Sequence, residues 1–118
     1  MSKTITLFLT TTPYTFQNTE TALRIAEAAL AKGHKVELFA SGDGVHNFTA
    51  GQRASSVPNA EKLFGDLIER GLRVELCGTC LRFRGIVRDQ QMPGTAPSSM
   101  KTLFEMVSAT DAFLSLGF

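Results

Sequence analysis

Twice along this chain an apolar helical stripe ends at a glycine and is followed at once by a short apolar strand, the pattern of an alternating α/β chain. Ala22, Ile25, Ala26, Ala29 and Leu30 fall at i, i+3, i+4, i+7 and i+8, with Asn18 or Thr19 as the predicted N-cap and Gly33 as the stop. Ala60, Leu63, Phe64, Leu67 and Ile68 repeat those spacings in a helix predicted over 58–70 and closed by Gly71. The segments after the two stops also match. Gly33-His34-Lys35-Val36-Glu37-Leu38-Phe39 and Gly71-Leu72-Arg73-Val74-Glu75-Leu76-Cys77 agree at the glycine, the basic residue, Val, Glu and Leu. Either this is an internal repeat, or cap glycines and short strands simply recur as they do in any α/β chain. Both explanations put Cys77 where Phe39 stands, at the carboxyl end of a strand.

The remaining elements continue the alternation. A strand is predicted over 4–9, followed by a Thr-rich loop over 10–18 that contains Pro13, and a second strand over 35–40. A short helix over 81–84 leads into an irregular stretch over 85–97, with a brief strand near Thr95. Ser98 or Ser99 then caps a helix with Met100, Leu103, Phe104 and Val107 on one face, and 112–116 forms the last strand. The expected fold class is therefore α/β, with three α/β/α layers around a central parallel sheet of about five strands joined by right-handed crossovers. Ligands and chemistry in such sheets collect at the carboxyl ends of the strands. Three segments converge there: 10–18, 41–57 and 77–84.

Size and charge narrow the class of function. The 118 residues form one predicted domain, 1–118, whose hydrophobic content of 43% is enough for a core without disulfide staples. Twelve Lys and Arg against eleven Asp and Glu leave a net charge of +1, with no basic run, so neither nucleic acid nor an anionic membrane is an expected partner. The apolar stretch Ile5 to Leu9 is broken by Thr6 and falls short of the ~7–15 residues of a signal-peptide core. Nothing approaches the ~18 consecutive apolar residues of a membrane span, and a cytosolic location is expected. Two cysteines in such a chain are more often reactive, ligating or buried than paired in a structural disulfide.

Cys77-Gly78-Thr79-Cys80 is the most informative segment, a C-x-x-C at a strand end and helix start. Zinc would need two more ligands, and only His34 and His46 stand at hand, at unrelated spacings, so no metal is expected. A thiol-disulfide pair, thiol-based group transfer and two inert buried cysteines are the other readings. Arg82, Arg84 and Arg88 follow directly; they either line a solvated helix face or hold an anionic sulfur. Asp43-Gly44 marks a turn in the long 41–57 connection, where His46 is either solvated or an acid–base group beside a thiol. Thr10-Thr11-Thr12 is similar to hydroxyl-rich phosphate loops but lacks their glycines, so no nucleotide, flavin or other cofactor is expected.

The strand leading into Gly42-Asp43-Gly44-Val45, the segment Cys77-Gly78-Thr79-Cys80-Leu81-Arg82-Phe83-Arg84-Gly85-Ile86, and the Ser-capped helix with its terminal strand together resemble the DsrE/DsrF-like family. The resemblance spans essentially the whole chain. It implies a three-layer α/β/α fold, a homo-oligomer of three or six chains, and sulfur relay in which a cysteine at the position of Cys77 carries a persulfide. TusA-like sulfur carrier proteins are the implied partners. Cys77 and Cys80 are then the candidate catalytic residues, with Arg82, Arg84, Asp43, Gly44 and His46 as substrate-binding or electrostatic support. The rival readings are a non-catalytic oligomeric binding or regulatory protein and a C-x-x-C redox protein.

Two physical expectations accompany this. The amides of Gly78, Thr79 and Cys80 at a helix start, with Arg82 and Arg84 nearby, predict a depressed pKa at Cys77, with burial against Leu76 or Phe83 opposing it. Cys80, one helical turn later, is expected to be secondary, as a resolving thiol or a small core residue. Nine Phe in so short a chain, one of them terminal, predict more apolar surface than a single domain buries, and hence association.

Overall fold

In the computed structural model, which describes residues 2–118, five strands pair side by side, all parallel, in the order β4-β3-β2-β1-β5. They are β1 (Thr4–Leu9), β2 (Lys35–Ala40), β3 (Arg73–Cys77), β4 (Thr95–Ser98) and β5 (Ala112–Leu116). The chain steps from β1 to β2 to β3 to β4 in one direction, then crosses back to lay β5 on the other side of β1. Right-handed crossovers in opposite directions place their helices on opposite faces. Accordingly α1 (Asn18–Ala31) and α2 (Ala60–Glu69) cover one face, and α4 (Met100–Ala109) covers the other.

Alternation along each strand decides what each face holds. Leu7, Leu9, Val36, Leu38, Ala40, Val74 and Leu76 turn toward α1 and α2, where Ala22, Ala26, Ala29, Ala60, Phe64 and Leu67 complete the main core. The alternate residues Phe39 and Cys77 meet Met106 of α4 in a second, smaller cluster, with Phe8, Leu103 and Cys80 packed against it. Phe39 and Cys77, which match in the paired sequence segments, thus lie on the same face. This places a thiol beneath a thin apolar cover rather than in the main core.

The strand boundaries agree with the sequence expectations, while the helix ends depart from them for identifiable reasons. Helix α1 has Gln17 at its N-cap, with no side-chain cap bond. Asn18 instead donates to Thr11 Oγ1 at 3.1 Å, and Thr19 donates to Asn47, so both expected caps are recruited to hold loops. Helix α2 starts at Ala60, because Asn59 accepts from the Lys62 N–H and ends the preceding loop. Helix α3 covers Gly78–Phe83, so it begins directly after Cys77 rather than at Leu81.

The stripe expected to bury α4 is divided. Leu103 packs on the second cluster beside Met106, whereas Met100, Phe104 and Val107 are exposed, Phe104 by 73%. Beneath this side of the sheet lie Thr6, Glu37, Arg73 and Glu75, tied by Thr6–Glu37 and Arg73–carboxylate contacts. Polar strand residues leave only a narrow apolar strip for the helix, narrower than its own apolar face.

Candidate functional site at the ends of β2 and β3

Ala40 and Cys77 end neighbouring strands, and the chain leaving each strand turns across the same edge. After β2 it enters a 3-10 turn, Gly42–Phe48, with Gly42 in the left-handed region at φ 57° and the Gly44 N–H bonded to the Ser41 carbonyl at 2.9 Å. Gly44 lies against the end of β1: a Cβ there would stand 2.1 Å from the Leu9 carbonyl oxygen. Asn47, fully buried, donates to the Thr11 carbonyl at 2.9 Å and the Gly44 carbonyl at 2.8 Å, and accepts from the Thr19 hydroxyl. One amide side chain therefore joins the loop after β1, the turn after β2 and the start of α1.

The turn delivers its amide to a sulfur. The Gly42 N–H donates to Cys80 Sγ at 3.1 Å, and Ser41 Oγ lies 3.6 Å from the same atom. Cys77 is the N-cap of α3, and its sulfur accepts the Cys80 N–H at 3.4 Å. Both cysteines are free, and Cys80 packs against the small cluster that holds Cys77. Arg84 reaches over from the end of α3, donating to Asp43 Oδ1 at 2.9 Å and to the Cys80 carbonyl at 3.2 Å.

These contacts set the two thiols apart. Burial raises the Cys77 thiol, which is only 6% exposed, and its hydrogen bond to the neighbouring Cys80 sulfur raises it further. The amides of Cys80 and Thr79 pull the other way without prevailing. Cys80 is also penalised by burial, but the Cys77 thiol, the Gly42 amide, the Ser41 hydroxyl and the Arg84 charge together hold it below the ordinary thiol range. The sequence predicts the acidified thiol at Cys77; the structure has it at Cys80. The helix-start amides favour the Cys77 anion as expected, and burial together with an anionic neighbour outweighs them.

Of the remaining candidates, Asp43, Gly44 and Arg84 lie in this assembly. Arg82 points elsewhere, donating to Thr79 Oγ1 at 3.1 Å. His46 is half-buried and, among the described residues, forms no side-chain hydrogen bond to either cysteine. Ser41 and Asn47 are not among the candidates the sequence offers, and Gly42 and Thr11 enter there only as parts of longer segments. For Gly42 and Ser41 the available signal is their place directly after β2. For Asn47 it is its position between Val45 and Phe48, both buried.

Such a pair can act as a nucleophile with a protonated neighbour, since only a thiolate attacks sulfur or carbon electrophiles. Iodoacetamide is expected to label Cys80 first, at pH values below the ordinary thiol range, and Cys77 only above it. Arg84→Ala removes a cation acting on Cys80 and should move that labelling profile to higher pH. Fragmentation of the labelled peptide checks the order, and first labelling at Cys77 would contradict the assignment.

A 35% identical relative, the uncharacterized protein MK0008 of Methanopyrus kandleri, aligns over 107 residues, 91% of this chain and 88% of that protein. The uncharacterized protein MJ0989 of Methanocaldococcus jannaschii is 33% identical over 106 residues, 90% of this chain and 93% of the relative. Among solved structures, the ychN protein of E. coli superposes with a TM-score of 0.89 at 24% identity, covering 98% of this chain and all (100%) of that one. MTH1491 from Methanobacterium thermoautotrophicum gives 0.79 at 16% identity, over 97% and 99% of the two chains. These likenesses carry the fold, and the profile of the DsrE/DsrF-like family matches residues 3–116. The all-parallel five-stranded sheet and the match along nearly the whole sequence lead to one conclusion: this chain belongs to the DsrE/DsrF-like family.

Proposed function

We propose that this protein accepts sulfane sulfur and carries it as a persulfide on Cys77, within the Cys77–Cys80 pair, as one member of a cytoplasmic sulfur relay. The observation that carries this reading is a pair of free cysteines packed in one small cluster at the carboxyl edge of the sheet, one of them held by the Gly42 amide. Membership of the DsrE/DsrF-like family supports it. Asp43 and Arg84 serve as electrostatic support, Gly44 and Asn47 position the turn, and Arg82 and His46 are assigned to contact with a donor or acceptor. A small carrier protein with a reactive cysteine, of the TusA-like kind, is the acceptor this reading favours. No described helix is long and apolar enough to cross a membrane.

Loading is a sulfur exchange without net oxidation: a thiol of the pair takes the outer sulfur of R–S–SH, and R–SH leaves. Treatment of the reduced protein with glutathione persulfide should add the mass of one sulfur atom per chain, removable by dithiothreitol. Disulfide formation with glutathione disulfide but no change with glutathione persulfide would instead identify a thiol-disulfide redox protein, and no change with either would favour a non-catalytic one.

Members of this family commonly oligomerise, and the exposed apolar residues of this chain suit a homo-oligomer, a trimer or hexamer in our reading. Met100, Phe104 and Val107 on α4 and Phe113 on the same side of the sheet are too many exposed apolar groups on one face to be scattered surface residues. Light scattering at micromolar concentration should report several chains per particle, and Phe104→Asp should shift the particle toward one chain. A wild-type monomer would contradict this.

A further inference from the structure

Resting on the reading above, we propose that the two cysteines act in sequence: Cys80 is the entry and exit point for sulfane sulfur, and Cys77 is its store. Three geometric facts carry this. Cys80 Sγ sits in a built cradle, with the Gly42 N–H at 3.1 Å and Ser41 Oγ at 3.6 Å, and Arg84 holds its carbonyl at 3.2 Å. Cys77 lies deeper, in the apolar cluster with Phe39 and Met106, and is less exposed to a donor than Cys80. Cys80 packs against the cluster that holds Cys77, and the Cys77 sulfur accepts the Cys80 N–H at 3.4 Å, so the two side chains are neighbours on one helical turn.

The first step is attack by the Cys80 thiolate on the outer sulfur of an alkyl persulfide, R–S–SH. A bond forms between Cys80 Sγ and that sulfur, the S–S bond joining it to the inner sulfur breaks, and the electron pair leaves with the alkyl thiolate, which takes up a proton. In the second step Cys77 releases its proton to solvent and attacks the same outer sulfur. The bond from that sulfur to Cys80 Sγ breaks, and its electron pair returns to Cys80. The products are Cys77–S–SH and the Cys80 thiolate; no thiol is oxidised, and no reductant is consumed.

The cradle decides the direction of the second step. It stabilises negative charge on Cys80 Sγ, the group expelled when Cys77 attacks the outer sulfur. Attack on Cys80 Sγ itself would expel hydrosulfide and leave a disulfide, a path on which the charge the cradle stabilises at Cys80 Sγ does not develop. Sulfane sulfur also settles on the more basic of two exchanging thiols, because the more acidic one is the better leaving group. Burial then shields the stored persulfide from small reductants, and unloading runs the same steps backward through Cys80.

The test compares wild type, Cys80→Ser, Cys80→Ala and Cys77→Ser after a brief pulse of glutathione persulfide, followed by alkylation and peptide fragmentation. Wild type should carry the added sulfur on Cys77. Cys77→Ser should still load, but on Cys80, and lose the sulfur to a dilute phosphine faster than wild type does. Both Cys80 variants should load at least about tenfold more slowly at neutral pH, and recover as pH is raised, because Cys77 must then ionise unaided. Recovery at high pH separates a lost entry thiol from a misfolded variant. Cys80 variants that load as fast as wild type, or sulfide release with a Cys77–Cys80 disulfide, would overturn this proposal and leave persulfide chemistry intact. Absence of loading in every variant, wild type included, would overturn the reading beneath it.

Discussion

Gly44→Ala is expected to destabilise the fold by about 3 kcal/mol and to slow alkylation of Cys80 at neutral pH. The added methyl would meet a backbone carbonyl, Leu9 O, at 2.1 Å, with the Leu9 carbonyl carbon at 2.8 Å, and neither can rotate away as a side-chain tip would. Relief requires the whole turn to lift from the end of β1. The same movement breaks the 2.8 Å bond from Asn47 to the Gly44 carbonyl and withdraws the Gly42 N–H from Cys80. Gly65→Ala is the matched control. Its Cβ would meet only the Met92 methyl at an ordinary 3.7 Å inside helix α2, so alanine should be neutral or stabilising by up to about 1 kcal/mol. Urea unfolding of the two variants checks the contrast. Equal midpoints would show that the turn does not rest on β1 as described.

Whatever repeats along the chain was legible in its sequence, and whatever depends on distant partners was not. The 3.6-residue stripes of α1 and α2 and their terminal glycines show directly, because each records one helix facing one core. Gly33 and Gly71 take left-handed φ of 84° and 111°, as a helix stop requires. The position of Cys77 at a strand end follows from the same periodicity. The acidity order of the two thiols does not, because Cys80 is acidified by an amide 38 residues away in sequence. Nor does local pattern reveal that Asn18 and Thr19 leave their capping roles for Thr11 and Asn47. The outward face of α4 is a similar case. Its stripe is helical in period, but the polar Glu37, Arg73 and Glu75 on the sheet below limit how much of it packs within one chain.

The second large effect concerns the thiols themselves. Removing both, as in Cys77→Ser, Cys80→Ser, should abolish sulfur uptake while leaving stability within about 1 kcal/mol of wild type, because serine is close in size and no disulfide is lost. That contrast matters because it separates chemistry from folding. The rest of the cradle, Gly42, Ser41, Arg84 and Asp43, remains in the double variant and supplies no nucleophile that can take sulfane sulfur.

Intact mass after glutathione persulfide treatment, read on wild type and on the double variant, tests the central claim most directly. The account predicts one added sulfur atom per wild-type chain, removed by dithiothreitol, and none on the double variant. A wild-type mass that stays unchanged, or an equal gain in the double variant, would contradict it.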